Sequence, residues 1–178
     1  MRAREVESGC RKHSDLHHAL VHEAGHAVAA IEFGIPFRAV VLYDEASMPL
    51  FYGGTAHALA AVEMCSDDST TWVQPDVVGS LRFIRAGAAA EQAILGDRLS
   101  CGSTMDFQLW RQGTGTPNEE MMVYDEIVGG SFRGVVKEVD AWALQNPEPI
   151  VALANHLARH DAPFEMLSAD VEMFLHDL

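Results

Sequence analysis

Residues 20–33 read Leu20-Val21-His22-Glu23-Ala24-Gly25-His26-Ala27-Val28-Ala29-Ala30-Ile31-Glu32-Phe33, and the reading of the whole chain turns on them. Leu20, Ala24, Ala27, Val28 and Ile31 recur at three- and four-residue steps, the spacing of one helix face. Ser14 is placed to cap this helix at its start, and Gly34 followed by Pro36 stops it. The pattern predicts a helix over about 14–33. Inside it, His22-Glu23-Ala24-Gly25-His26 is an H-E-x-x-H. Histidines four apart on a helix differ by about 40° and share a face, so both imidazoles can reach one Zn²⁺ at about 2.0–2.1 Å. Glu23 follows the first of them, placed to take a proton from a metal-bound water rather than to bind the metal.

Composition narrows the setting. The chain has 178 residues, of which 48% are hydrophobic and 21% charged, as expected of one ordinary folded domain rather than a disordered or low-complexity chain. The 26 acidic residues against 12 basic ones leave a net charge of −14. That charge argues against nucleic acid and against anionic membrane surfaces as partners. Cys10, Cys65 and Cys101 are too few, and odd in number, for a secreted disulfide framework. No apolar run approaches the roughly 20 residues of a membrane helix. These features lead to the expectation of a soluble, cytoplasmic protein.

Outward from the first helix, residues 1–13 read as a flexible leader and 14–178 as a single domain, with a metal-binding core over 14–113 and C-terminal helices over 135–178. Phe37–Tyr43 and Phe51–Ala58 are rich in strand formers, and Gly53-Gly54 suggests a bulge or a close approach of another backbone. Pro75 and Asp76 suit a helix start, and that helix runs to about Leu95 before Gly96. Its segment Ala86-Gly87-Ala88-Ala89-Ala90 has little side-chain bulk and suits close helix packing. Further helices are predicted from near Ser103, over about 119–128, and over about 135–145, 148–160 and 168–177, with a mobile stretch at Gly129–Gly134. The fold class expected is α+β and helix-dominated: a zincin-like helical domain with a small β-sheet and a C-terminal helical bundle.

Two histidines do not complete a catalytic zinc site, which usually has three protein ligands and a water. Glu32 lies about 280° around the helix from His22 and cannot reach the same ion. Glu91 on the following helix and Asp106, in Cys101-Gly102-Ser103-Thr104-Met105-Asp106-Phe107, are the two remaining alternatives for the third ligand.

These segments together resemble the peptidase domain of FtsH-type ATP-dependent zinc proteases. That family's metal motif reads H-E-A-G-H-A, matched by His22 to Ala27. A G-x-x-A-E helix core follows, matched by Gly87-Ala88-Ala89-Ala90-Glu91. Next comes a segment ending in the third zinc ligand, matched by Gly102-Ser103-Thr104-Met105-Asp106. The resemblance spans roughly residues 15–178. It implies His22, His26 and Asp106 as zinc ligands, Glu23 as general base, and an edge strand at Gly53, Gly54, Thr55, Ala56 and His57 as the rail for an extended peptide. The chain departs from the family in having no G-x-x-x-x-G-K-[S/T] phosphate loop and no membrane helices, so no ATPase motor is visible. The expectation is a zinc-dependent endopeptidase acting on peptides or unfolded protein segments. The alternative is a zinc-binding adaptor or degenerate protease that recognises chains without cutting them. The resembled family works as hexameric rings, which leaves a homo-oligomer and a separate unfoldase partner open.

Overall fold

The computed structural model describes residues 16–44, 50–51, 56–57, 59–96, 100–116 and 121–178, of which 50–51, 56–57, 100–105 and 121–122 are described at the backbone alone. The leader at 1–13, the Ser14 cap, Tyr52 and Gly53–Thr55 therefore lie outside the described residues.

Helix α1, Leu16–Phe33, carries the H-E-x-x-H and is buried from Ala19 to Ala30 except at Glu23, which is half-buried. It ends at Gly34, whose φ of +69° is the left-handed turn that only glycine adopts readily. The chain reverses there into β1, Phe37–Leu42. β1 is the middle strand of a three-stranded antiparallel sheet. One neighbour is β4, Ala60–Met64, with Val40 opposite Val62. The other is β5, Phe164–Leu167, with Val40 opposite Met166.

The sheet corrects the expected second strand. Of the run at 51–58, the described residues Phe51, Ala56 and His57 do not pair with β1; β2, Leu50–Phe51, pairs instead with β3, Ala56–His57, in a separate two-stranded sheet. The partner of β1 is instead Ala60-Ala61-Val62-Glu63-Met64, whose alanines and glutamate have little intrinsic strand preference. Cross-strand contacts compensate. Arg38 on β1 reaches Glu63 on β4 and Glu165 on β5, while the Tyr43 hydroxyl donates to Glu63 at 2.6 Å.

A short helix α2, Ser69–Val73, is capped by Asp68, which accepts the Thr70 amide at 3.0 Å. A 3₁₀ turn over Gln74–Asp76 holds Pro75, so the long helix α3 starts at Val77 rather than at the proline, and it ends at Leu95. Asp76 caps α3 by accepting the Gly79 amide at 2.8 Å. The remaining helices are α4, Ser100–Gly113, α5, Met121–Ile127, α6, Phe132–Gln145, α7, Pro147–Leu157, and α8, Ser168–His176. The stretch expected to be mobile is a hydrogen-bonded turn. Gly130 donates to the Asp125 carbonyl at 2.9 Å and Phe132 to the Asp125 carboxylate at 2.7 Å. Ser131 then caps α6, which begins three residues earlier than its apolar pattern suggested.

The core is α1 laid against α3, with α6 and α4 on the far flanks of α3 and α7 against α1. The small residues set the distance between the two central helices. A Cβ at Gly25 would stand 2.6 Å from the Ala90 Cβ and 2.8 Å from the Ala86 carbonyl oxygen. Glu32, on the outer side of α1, accepts the Trp142 indole N–H at 2.7 Å, well away from the motif histidines. Trp110 is fully buried, and Trp72 and Trp142 nearly so, as core anchors. No helix among the described residues is long and apolar enough to cross a membrane. The protein is thus helix-dominated α+β.

Candidate metal centre

α1 holds His22 and His26 on the face turned toward α3, and both side chains are buried. α4 brings in Asp106, whose side chain is 20% exposed. Their ligand atoms form a nearly equilateral triangle. His22 Nε2 and His26 Nε2 are 3.0 Å apart, His22 Nε2 and Asp106 Oδ2 are 3.0 Å apart, and His26 Nε2 and Asp106 Oδ2 are 3.3 Å apart. Three ligands about 2.0–2.1 Å from a tetrahedral ion stand about 3.3 Å from one another. The three residues form the one group of this kind among the described residues that could hold a metal ion.

The surroundings fix which atoms face that point. His26 Nδ1 donates to the Phe83 carbonyl at 2.7 Å, and a carbonyl can only accept. The neutral ring then presents Nε2 as a lone pair. His22 Nδ1 lies 3.6 Å from Glu91 Oε1, a carboxylate with no exposed surface. That carboxylate orients the second imidazole in the same sense. Two imidazole lone pairs and a carboxylate oxygen converging within 3.3 Å is an arrangement that a cation resolves. Space points the same way: a Cβ at Gly87 of α3 would fall 2.5 Å from His26 Nε2 and 2.6 Å from His22 Nε2. Only glycine leaves the centre open on that side.

The electrostatics are consistent with a cation site. Burial pulls the His22 imidazole down, but hydrogen bonding to Asp106 and Glu91 outweighs it and holds His22 well above its ordinary value. Burial pushes the Asp106 carboxyl up, yet His26 and His22 together hold it well below the usual carboxylate range. The field that retains a proton on His22 favours any cation at the same point.

Glu23 stands between the triangle, whose His22, His26 and Asp106 it senses electrostatically, and the sheet. Its Oε2 accepts the Val62 amide of β4 at 2.8 Å. Burial raises its carboxyl, and His22 and His26 recover part of that shift.

The three side chains expected as ligands, His22, His26 and Asp106, thus stand together. Glu91 is beside His22 rather than in the triangle. Of the expected peptide rail, Gly53, Gly54 and Thr55 lie outside the described residues, and Ala56 and His57 sit in β3, paired with β2. Cys10 also lies outside them. Cys65 is a free, exposed thiol. His156 and His160, away from the centre, pack on aromatic rings: His156 on Phe174 and His160 flat on Phe164 at 3.8 Å. The Phe83 carbonyl and the Val62 amide were missed, since main-chain groups leave no mark in a sequence. Gly87 did leave one: it lies four residues before Glu91 and shares its helix face.

Fold and site together define the class: a helix-dominated α+β protein with a buried His-His-Asp centre able to hold a metal ion. No model of a known protein family matches the chain, and no curated protein sequence matches it.

Proposed function

We propose that the protein is a zinc-dependent endopeptidase with a zincin-like, FtsH-like active site, acting on peptides or unfolded segments in the cytoplasm. One observation carries this reading: the 3.0–3.3 Å triangle of His22 Nε2, His26 Nε2 and Asp106 Oδ2, with Glu23 in the sequence position of a general base. Two nitrogens and one carboxylate oxygen suit zinc, with a fourth position left for water. His22, His26 and Asp106 would hold the ion, which when bound would supply a water of lowered pKa and a Lewis acid for the scissile carbonyl.

The chain's own residues do the rest. The Phe83 carbonyl and Glu91 hold the two imidazoles in the tautomer that binds. Asp106 supplies negative charge. Glu23 accepts the proton of the attacking water and delivers it to the leaving amine. Its carboxyl, raised by burial, is closer in basicity to that task than a solvated glutamate.

The test is cleavage of an unfolded model protein by zinc-loaded wild type and by Glu23→Gln, each with zinc content measured. The expected outcome is one zinc per chain in both, with cleavage by the wild type alone. If both bind zinc and neither cleaves, the protein is an adaptor rather than a peptidase. Equal cleavage by both removes Glu23 from the mechanism.

A further inference from the structure

The outward edge of β4 meets the candidate site through the Val62 N–H, which donates to Glu23 Oε2 at 2.8 Å. Register explains why that amide is free to do so. The Tyr43 N–H donates to the Leu59 carbonyl at 3.0 Å, which makes 43 and 59 a hydrogen-bonded pair. Antiparallel ladders alternate. Val41 with Ala61 and Ala39 with Glu63 are then hydrogen-bonded pairs, while Val40 with Val62 and Leu42 with Ala60 are not. Val62 accordingly turns its N–H and C=O away from β1. Among the described residues β4 is the end strand of its sheet, and an amide on such an edge ordinarily goes to water. Here it goes to the one carboxylate adjacent in sequence to a candidate ligand.

Resting on the reading of Glu23 as general base, we infer that the main-chain amide of Val62 is a positioning group for it. The amide fixes Oε2 and so aims Oε1 at the proton to be moved. A bond from an amide to a carboxylate is roughly twice as strong as one to a neutral carbonyl. A peptide laid along β4 offers only neutral carbonyls, so it does not draw Val62 away from Glu23. The strand edge thus serves the base at this residue, and the side chain of Val62 is incidental to that role.

Amide hydrogen exchange tests the contact without any turnover. In the zinc-loaded wild type the Val62 amide exchanges slowly, and Glu23→Ala accelerates it by about tenfold or more, the effect of losing a charge-assisted bond. The amides of Ala61 and Glu63, which face β1, are unchanged. Val62→Ala keeps the slow exchange at position 62, because the amide is retained. Val62→Pro removes the amide at an edge position where no ladder bond is lost. Its kcat falls by about tenfold or more while KM and zinc content stay within about twofold. Equal exchange at Val62 in wild type and Glu23→Ala overturns the inference, as does undiminished kcat in folded, zinc-loaded Val62→Pro. Should Val62→Pro not fold, the exchange comparison decides alone. Should the wild type cleave nothing while Val62 exchange still responds to Glu23→Ala, the contact stands and the peptidase reading fails.

Discussion

At Gly87 the candidate site depends on the absence of a single methyl group. A Cβ there would sit 2.5–2.6 Å from the Nε2 atoms of both histidines, inside the space a coordinated ion needs. Gly87→Ala is otherwise mild, because alanine favours a helix more than glycine does. The expected outcome is a folded protein whose zinc affinity has fallen by about 100-fold or more, read by competition with a chromophoric chelator. Unchanged affinity would mean that zinc does not bind between His22 and His26. Glu91 gives a second test at the same scale. Its carboxylate lies 3.6 Å from His22 Nδ1 and has no exposed surface. Glu91→Gln keeps the volume and removes the charge, and partners of this kind typically account for about 10–100-fold in metal affinity. A loss in that range, with the fold intact by circular dichroism, is expected.

Among the elements, the contact between α1 and α3 sets the stability of the site. Gly25→Ala forces a Cβ to within 2.6 Å of the Ala90 Cβ and 2.8 Å of the Ala86 carbonyl. Overpacking of this kind costs about 1–3 kcal/mol, so urea midpoints should fall accordingly. Adding Ala90→Gly relieves the methyl contact but not the carbonyl one, and should restore only part of the loss. Recovery in full would place the strain at Ala90 alone. The same two helices were the most readable part of the sequence, because long apolar periodicity and the Gly34 and Gly96 stops act locally. Histidine spacing located two ligands by helix geometry alone. Asp106 came from resemblance, since no local rule links α4 to α1. The sheet was read poorly for a physical reason. β4 and β5 are five and four residues long, and β5 carries an exposed Leu167 and a polar Glu165. They are strands because β1 pairs with them, and such non-local pairing has no periodic signature in five residues. The run at 51–58, with its strand-forming aromatics ahead of Gly53-Gly54, drew the assignment away from them.

For the whole molecule, pH should act in opposite directions with and without zinc. In the metal-free chain His22 is held above its ordinary value by Asp106 and Glu91 against burial. A raised histidine contributes stability that is fully present below its unfolded value near 6.5 and lost as pH rises through its folded value. Asp106 is held well below the carboxylate range, so its contribution is present above about pH 4 and lost only under strong acid. The metal-free protein is thus expected to lose stability from about pH 6.5 upward through this pair. Zinc needs both imidazoles neutral, so its affinity rises over the same interval. A ligand at about 1,000 times its Kd adds about 4 kcal/mol, which for a chain of this size is a Tm shift on the order of 10 °C. His156, lowered by burial, His160 and Arg159, loses stability on acidification in both forms alike and cancels in their difference. The gap in Tm between zinc-loaded and chelated protein should therefore widen steadily from pH 5.5 to pH 8, measured at fixed free zinc. Removing either partner should flatten it: in Asp106→Asn the chelated protein no longer gains from a protonated His22, and the loaded one has lost a charged ligand. A gap that is constant or narrowing with pH in the wild type would show that the buried His-His-Asp triangle is an ion-pair network of the fold itself rather than a site for metal.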